Sequence, residues 1–182
     1  MDAPDWLPAF DRRAPLAPEA LMALALDIAL ASARHGGGPF GAVVADAEGR
    51  VVEVGWNRVL AAHDSTAHAE VVALRRAQQR LATHHLAGCA LYTSCAPCIQ
   101  CYGAIYWSGL SRVYSAARKE DAERIGFDEG PPMDGLWAHA REAKGIDHVA
   151  DFLRDERALR PLREYAESGG VNYSEAPAKK RS

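Results

Sequence analysis

Short runs rich in β-branched residues alternate along this chain with segments of helical length, and their order restricts the fold more than any single residue does. "FGAVVAD" and "VVEVGWN" flank the turn "AEGR" and read as an antiparallel hairpin. "CALYTS", "RVYSAA" and "IDHVAD" follow, each reached through a helical segment. A crossover of that length joins parallel neighbours, whereas a tight turn joins antiparallel ones. The order helix, hairpin, helix, strand, helix, strand, helix, strand, helix therefore predicts an α/β fold: a mixed five-stranded sheet between helices, with its last strands parallel.

The helix boundaries carry their own signals. Pro18 opens "PEALMALALDIALASARH", which stops at Gly36, Gly37 and Gly38. Thr66 is the expected N-cap of a helix running to about Leu81, and Pro97 suits the first turn of "PCIQCYGAIYWS", which Gly109 ends. Residues 1–17 hold several prolines and read as an extended N-terminal arm, 18–168 as one domain, and 169–182 as a tail that can cover a pocket, with Tyr173 as a candidate lid contact.

A chain of 182 residues with 48% hydrophobic composition can bury one real core. Its longest early apolar run, "LMALALDIALA", is broken by Asp27 and too short to span a bilayer, so the expectation is a soluble, cytoplasmic protein with no membrane partner. The formal charge of -3 argues against a surface built for a long phosphate backbone, which makes nucleic acid an unlikely partner. Arg75, Arg76 and Arg80 cluster on one predicted helix and read first as a solvated face.

Three of the four cysteines fall in "CAPCIQC", too local to staple a secreted fold, and point to metal or redox chemistry. His68, Cys98 and Cys101 supply one nitrogen and two sulfurs, a set that suits Zn2+ and leaves a fourth tetrahedral position open for water. Cys95 could instead close the site as a fourth ligand, which would make the zinc structural and the chain a binding module. His68 and Glu70 stand two apart and share no helix face, so the metal must lie beyond the helix end. Two helix N-termini would then aim at one ion and favour thiolate over thiol. In that position Glu70 can act as general acid and base; by itself it could equally be a solvated helix-start acid.

"HAE" with "PCIQC" resembles the zinc-dependent cytidine/deoxycytidylate deaminase signature. With "GGPFGAVV", "NRV", "TAHAE", "YTSCAPC", "GAIYWSG" and "IGFDEGP", the likeness extends from Gly37 to Pro131 and is to the guanine deaminase branch. The resemblance implies a cytidine-deaminase-like α/β/α sandwich, usually a homodimer, that hydrolyses guanine to xanthine and ammonia with zinc-activated water and Glu70 as the proton shuttle. It also implies that Phe40 and Phe127 flank the base, Asn57 bonds its polar edge, and Glu129, with Asp128 beside it, binds its donors and helps pass protons. Each has a plainer alternative: core aromatics, a turn asparagine, solvated loop acids. An acceptor-only carboxylate at Glu129 fits guanine, whose N1–H and exocyclic amine both donate. Related amino-heterocycles (ammeline, guanosine, cytosine) and, further off, a tRNA adenosine stay open as substrates.

Overall fold

The computed structural model describes residues 4–128, 130 and 133–173. Strands β1 (Gly41–Ala45) and β2 (Val51–Trp56) form the hairpin, with Val43 opposite Val54 and a register shift at Val44/Ala45. With β3 (Ala90–Cys95), β4 (Arg112–Ala117) and β5 (Asp147–Val149) they make a five-stranded sheet in the order β2-β1-β3-β4-β5. β1 pairs antiparallel with β3, and the β3, β4 and β5 pairings are parallel, as the crossover argument requires.

Seven helices accompany the sheet among the described residues: α1 (Pro18–Arg34), α2 (Val59–Ala62), α3 (Ala69–Leu81), α4 (Ile99–Ser108), α5 (Lys119–Glu123), α6 (Asp134–Lys144) and α7 (Glu156–Glu167). Alternation along β1 divides the core in two. Ala42 and Val44 pack with Leu74 of α3, Ile105 of α4 and Ala140 of α6. Val43 and Ala45 face the other way, with Ile28 of α1 and Ala158 of α7. Fully buried side chains such as Ile28 and Ile105 each contribute roughly 1.5–3 kcal/mol relative to exposure. Residues 4–17 form no helix or strand, and Trp6, Leu7 and Phe10 lie against the α1 side of the core.

Two glycines set how closely helices approach the sheet. A methyl group at Gly41 would overlap backbone atoms of Ala25 and Ala29 in α1. One at Gly55 would overlap the Ala69 carbonyl oxygen and the Ala73 nitrogen, so Gly55 lets the first turn of α3 lie directly on β2.

Several sequence expectations shift by a few residues. His68, not Thr66, is the N-cap of α3; the Thr66 N–H and hydroxyl instead donate to Asp64 Oδ1, at 2.8 and 2.7 Å. Cys98 is the N-cap of α4, which places Pro97 just ahead of the helix rather than inside it. The short α2 carries no buried residue, which is why no periodicity announced it. No described helix is long and apolar enough to cross a membrane.

Candidate active site

The N-terminal ends of α3 and α4 meet above the sheet, and the zinc-type donors sit there. His68 and Cys98 occupy the two N-cap positions in extended backbone conformation, with φ of -66° and -71°. Cys101 lies in the first turn of α4, and Glu70 in the first turn of α3. Side chains at a helix start can converge beyond the terminus, which resolves the spacing of two between His68 and Glu70.

The three donors fit zinc. A tetrahedral ion with bonds of about 2.3 Å to sulfur and about 2.05 Å to nitrogen holds its sulfurs about 3.8 Å apart and each sulfur about 3.5 Å from the nitrogen. Here Cys98 Sγ and Cys101 Sγ are 3.7 Å apart, and each is 3.5 Å from His68 Nδ1. All the donor atoms of this group lie within 4.8 Å of one another. The donor group does not include Cys95, whose thiol donates to the Arg118 carbonyl oxygen at 3.4 Å.

In this arrangement the thiol protons are shared unequally. The Cys101 hydrogen bond is the main cause that lowers the Cys98 pKa to about 4, while the same pairing, with burial and Glu70 nearby, pushes Cys101 well above its usual range. The positive ends of two helices favour such a thiolate.

Glu70 is 6% exposed. Its Oε1 accepts from Thr93 Oγ1 at 3.0 Å, and its Oε2 from the Cys101 thiol at 3.4 Å. Burial pushes its pKa up, His68 opposes the shift, and the charge of Cys98 reinforces it. A buried carboxyl held at a metal-type donor set is not the solvated helix-start acid of the plainer reading. Thr93 escaped the sequence reading, although it lies two residues after Leu91 on β3 and so shares the sheet face that packs against α3 and α4.

The cavity in front of these groups gathers the other expected residues. Phe40, Asn57, Phe127 and Asp128 all line it, with Tyr173 from the tail. Phe40 and Phe127 meet edge to face at 5.1 Å, and Tyr173 lies 5.0 Å from Phe127. Asn57 is buried; its Oδ1 accepts from the Val59 N–H at 3.2 Å, so it does close a turn. That bond leaves its amide NH2 as the group able to donate to a ligand. Asp128 is exposed and accepts from the Gly130 N–H at 2.9 Å. Glu129 lies outside the described residues. Free space in the cavity is only about 30 Å³, about one water's worth, because the aromatic rings fill it.

The family model for the cytidine and deoxycytidylate deaminase zinc-binding region matches residues 17–117. The chain belongs to that family. Among deaminases of known sequence, guanine deaminase of Bacillus subtilis (strain 168) is 48% identical over 93 residues, covering 51% of this chain and 59% of the Bacillus protein. A tRNA-specific adenosine deaminase of Buchnera aphidicola is 36% identical over 106 residues, covering 58% of this chain and 70% of its own length. Among solved deaminases, guanine deaminase from Nitrosomonas europaea superposes with a TM-score of 0.79 at 41% identity, covering 85% of this chain and 87% of that one. The cytidine-deaminase-like sandwich expected from the motifs is the observed architecture.

Proposed function

We propose that this deaminase hydrolyses guanine to xanthine and ammonia. The observation that carries the reading is a buried Glu70 carboxyl fixed within hydrogen-bonding distance of one member of a zinc-matched donor set. Similarity to guanine deaminases over most of the fold supports the substrate.

His68, Cys98 and Cys101 would hold Zn2+. When bound, zinc supplies a water acidified toward neutrality, able to attack the amine-bearing ring carbon. Cys101 would hold the ion as its thiolate, which would leave Glu70 Oε2 without its thiol contact while Thr93 keeps Oε1 in place. Glu70 would take a proton from the water, pass it to the ring nitrogen beside the reacting carbon, and deliver the next to the departing amine. Burial, which raises its pKa, suits a carboxyl that must donate as well as accept.

Phe40 and Phe127 wall the flat base, and the Asn57 amide, oriented by its own turn, donates to acceptors on the purine edge. Glu129 would serve the N1–H and amine donors, and Asp128, whose carboxylate accepts from the Gly130 N–H, lines the same cavity. Residues 169–173 act as a lid: Tyr173 stands where a purine must enter, and a cavity this small admits one only when that ring moves aside.

A homodimer is supported by Trp107, 74% exposed near the end of α4, a large apolar side chain that a second copy would cover. A cytoplasmic location agrees with cysteines that form no disulfide.

The test is ammonia release by the zinc-loaded chain from guanine, guanosine, cytosine, adenine and ammeline, alongside Glu70→Gln. Release chiefly from guanine is expected, with turnover lowered about a hundredfold or more in the variant and zinc content unchanged. Release from none of these bases by the zinc-loaded protein refutes the assignment.

A further inference from the structure

A cavity of about 720 Å³ opens beside the outer face of α3, and it shares no lining residue with the catalytic cavity. Its walls carry four guanidinium groups, those of Arg58, Arg75, Arg76 and Arg80, against the two carboxylates of Glu53 and Asp64. Neither carboxylate has much to spare. Glu53 is 4% exposed and already receives Arg80 Nε at 2.7 Å, Arg76 Nε at 3.1 Å and Arg12 Nη2 at 3.2 Å. Asp64 is engaged by Thr66, and Arg75 Nη1 stands 3.7 Å away.

Arg58 is the exception. It is half-buried at the cavity wall, and its guanidinium makes no hydrogen bond or ion pair with any described residue. Its backbone N–H donates to the Ala67 carbonyl oxygen at 2.9 Å, which fixes the side chain's origin beside the cavity. A partly desolvated guanidinium with five unused donors is the kind of group that recognises an oxyanion, and Arg75 lines the same space, its Nη2 donating to Thr66 Oγ1 at 3.3 Å and its Nη1 standing 3.7 Å from Asp64.

We propose that this cavity is a second binding site, for phosphate or a small phosphate ester such as a nucleoside monophosphate, anchored by Arg58 and Arg75. The volume lies in the range of small-molecule sites, and Ala62, Ala67 and Val72 give the wall an apolar portion suited to a sugar or base. Glu53 and Asp64 inside the cavity, together with a formal chain charge of -3, disfavour a long polyanion such as RNA. The site stands independently of the deamination reading, since neither anchor touches the catalytic cavity.

The experiment is titration calorimetry of the zinc-loaded full chain with inorganic phosphate, guanosine 5′-monophosphate and a short RNA, repeated for Arg58→Ala and Arg75→Ala. One saturable site for phosphate or the monophosphate is expected, weakened about tenfold by each substitution and further by salt. Tighter binding of the monophosphate identifies the ester as ligand, and equal affinity identifies the free anion. The Arg58 guanidinium makes no hydrogen bond or ion pair with a described residue, so its removal should leave the fold intact, and unchanged melting of both variants verifies this. No binding up to about 10 mM, affinity unchanged in both variants, or binding of the RNA alone overturns the proposal. Ammonia release is read separately, so failure of deamination and failure of this site are distinguishable.

Discussion

Gly55→Ala adds a single methyl group on β2, and its consequence should appear at Glu70. The new carbon would overlap the Ala69 carbonyl oxygen and the Ala73 nitrogen, both backbone atoms that cannot rotate away. Restoring normal contact moves the first turn of α3 outward by about 1 Å, because close-packed interiors pass strain on rather than absorb it. That turn carries Glu70, and His68 precedes it. Overpacking of this kind costs about 1–3 kcal/mol. A misplacement of about 1 Å costs roughly a hundredfold in rate. Gly135→Ala is the control: nothing lies within 4 Å of its added carbon, and helix propensity favours alanine over glycine by up to about 1 kcal/mol. Thermal unfolding and ammonia release on both variants separate the two. Wild-type turnover and melting in Gly55→Ala would refute the claim that this glycine sets the position of α3.

His148 predicts a pH dependence of stability. Its ring lies 4.2 Å from Trp137, its Nε2 is 2.9 Å from Ser115 Oγ, and burial lowers its pKa from 6.5 to about 4. Between those values the unfolded chain binds a proton the folded chain does not, so stability is full above about pH 6.5 and falls toward pH 4, by up to about 3 kcal/mol. Denaturant titrations of wild type and His148→Gln across this window should differ in slope; parallel curves would remove His148 as the cause. At the metal site, Cys95→Ala should keep its zinc and Cys98→Ala should lose it, measured as bound metal per chain after dialysis. The opposite pattern would make Cys95 a ligand. Acidification below about pH 4 should also weaken the arm-to-sheet tie at Glu53. Burial works against its ionised form, yet the Arg80 hydrogen bond and the charges of Arg12 and Arg76 hold its pKa below the usual value, so that stabilisation is present above about pH 4 and lost beneath it. Glu53→Gln should flatten this acid limb of the unfolding profile.

The sheet was legible because both kinds of connection leave strong marks: a turn tetrapeptide within the hairpin, and helical periodicity between the parallel strands. The donor set was legible because few residues besides His and Cys make such ligands, and "HAE" and "PCIQC" keep them close in sequence. Less visible was the end of α3. Thr66 looks like a cap by residue type, but Asp64 two residues earlier captures its hydroxyl, and the cap position falls to a histidine that serves another purpose. Thr93 was missed because its partner, Glu70, is 23 residues away, and no local pattern reports a hydrogen bond between a strand and a helix start. Asn57 shows why a turn residue and a ligand contact are not exclusive readings: its oxygen closes the turn, which still leaves its amide NH2 at the cavity wall.

His68 and Cys98 stand at the two positions where serine, threonine or aspartate would ordinarily cap a helix, and neither side chain makes a cap hydrogen bond here. Each cap forgone is worth about 1 kcal/mol of helix stability. The first-turn amides of α3 and α4 therefore lack side-chain caps, and an ion held between the two helix starts would double as a clasp joining them. Attempts to harden this protein by improving helix caps meet a conflict at these two residues: the substitutions that would firm the helices are the ones that remove the metal.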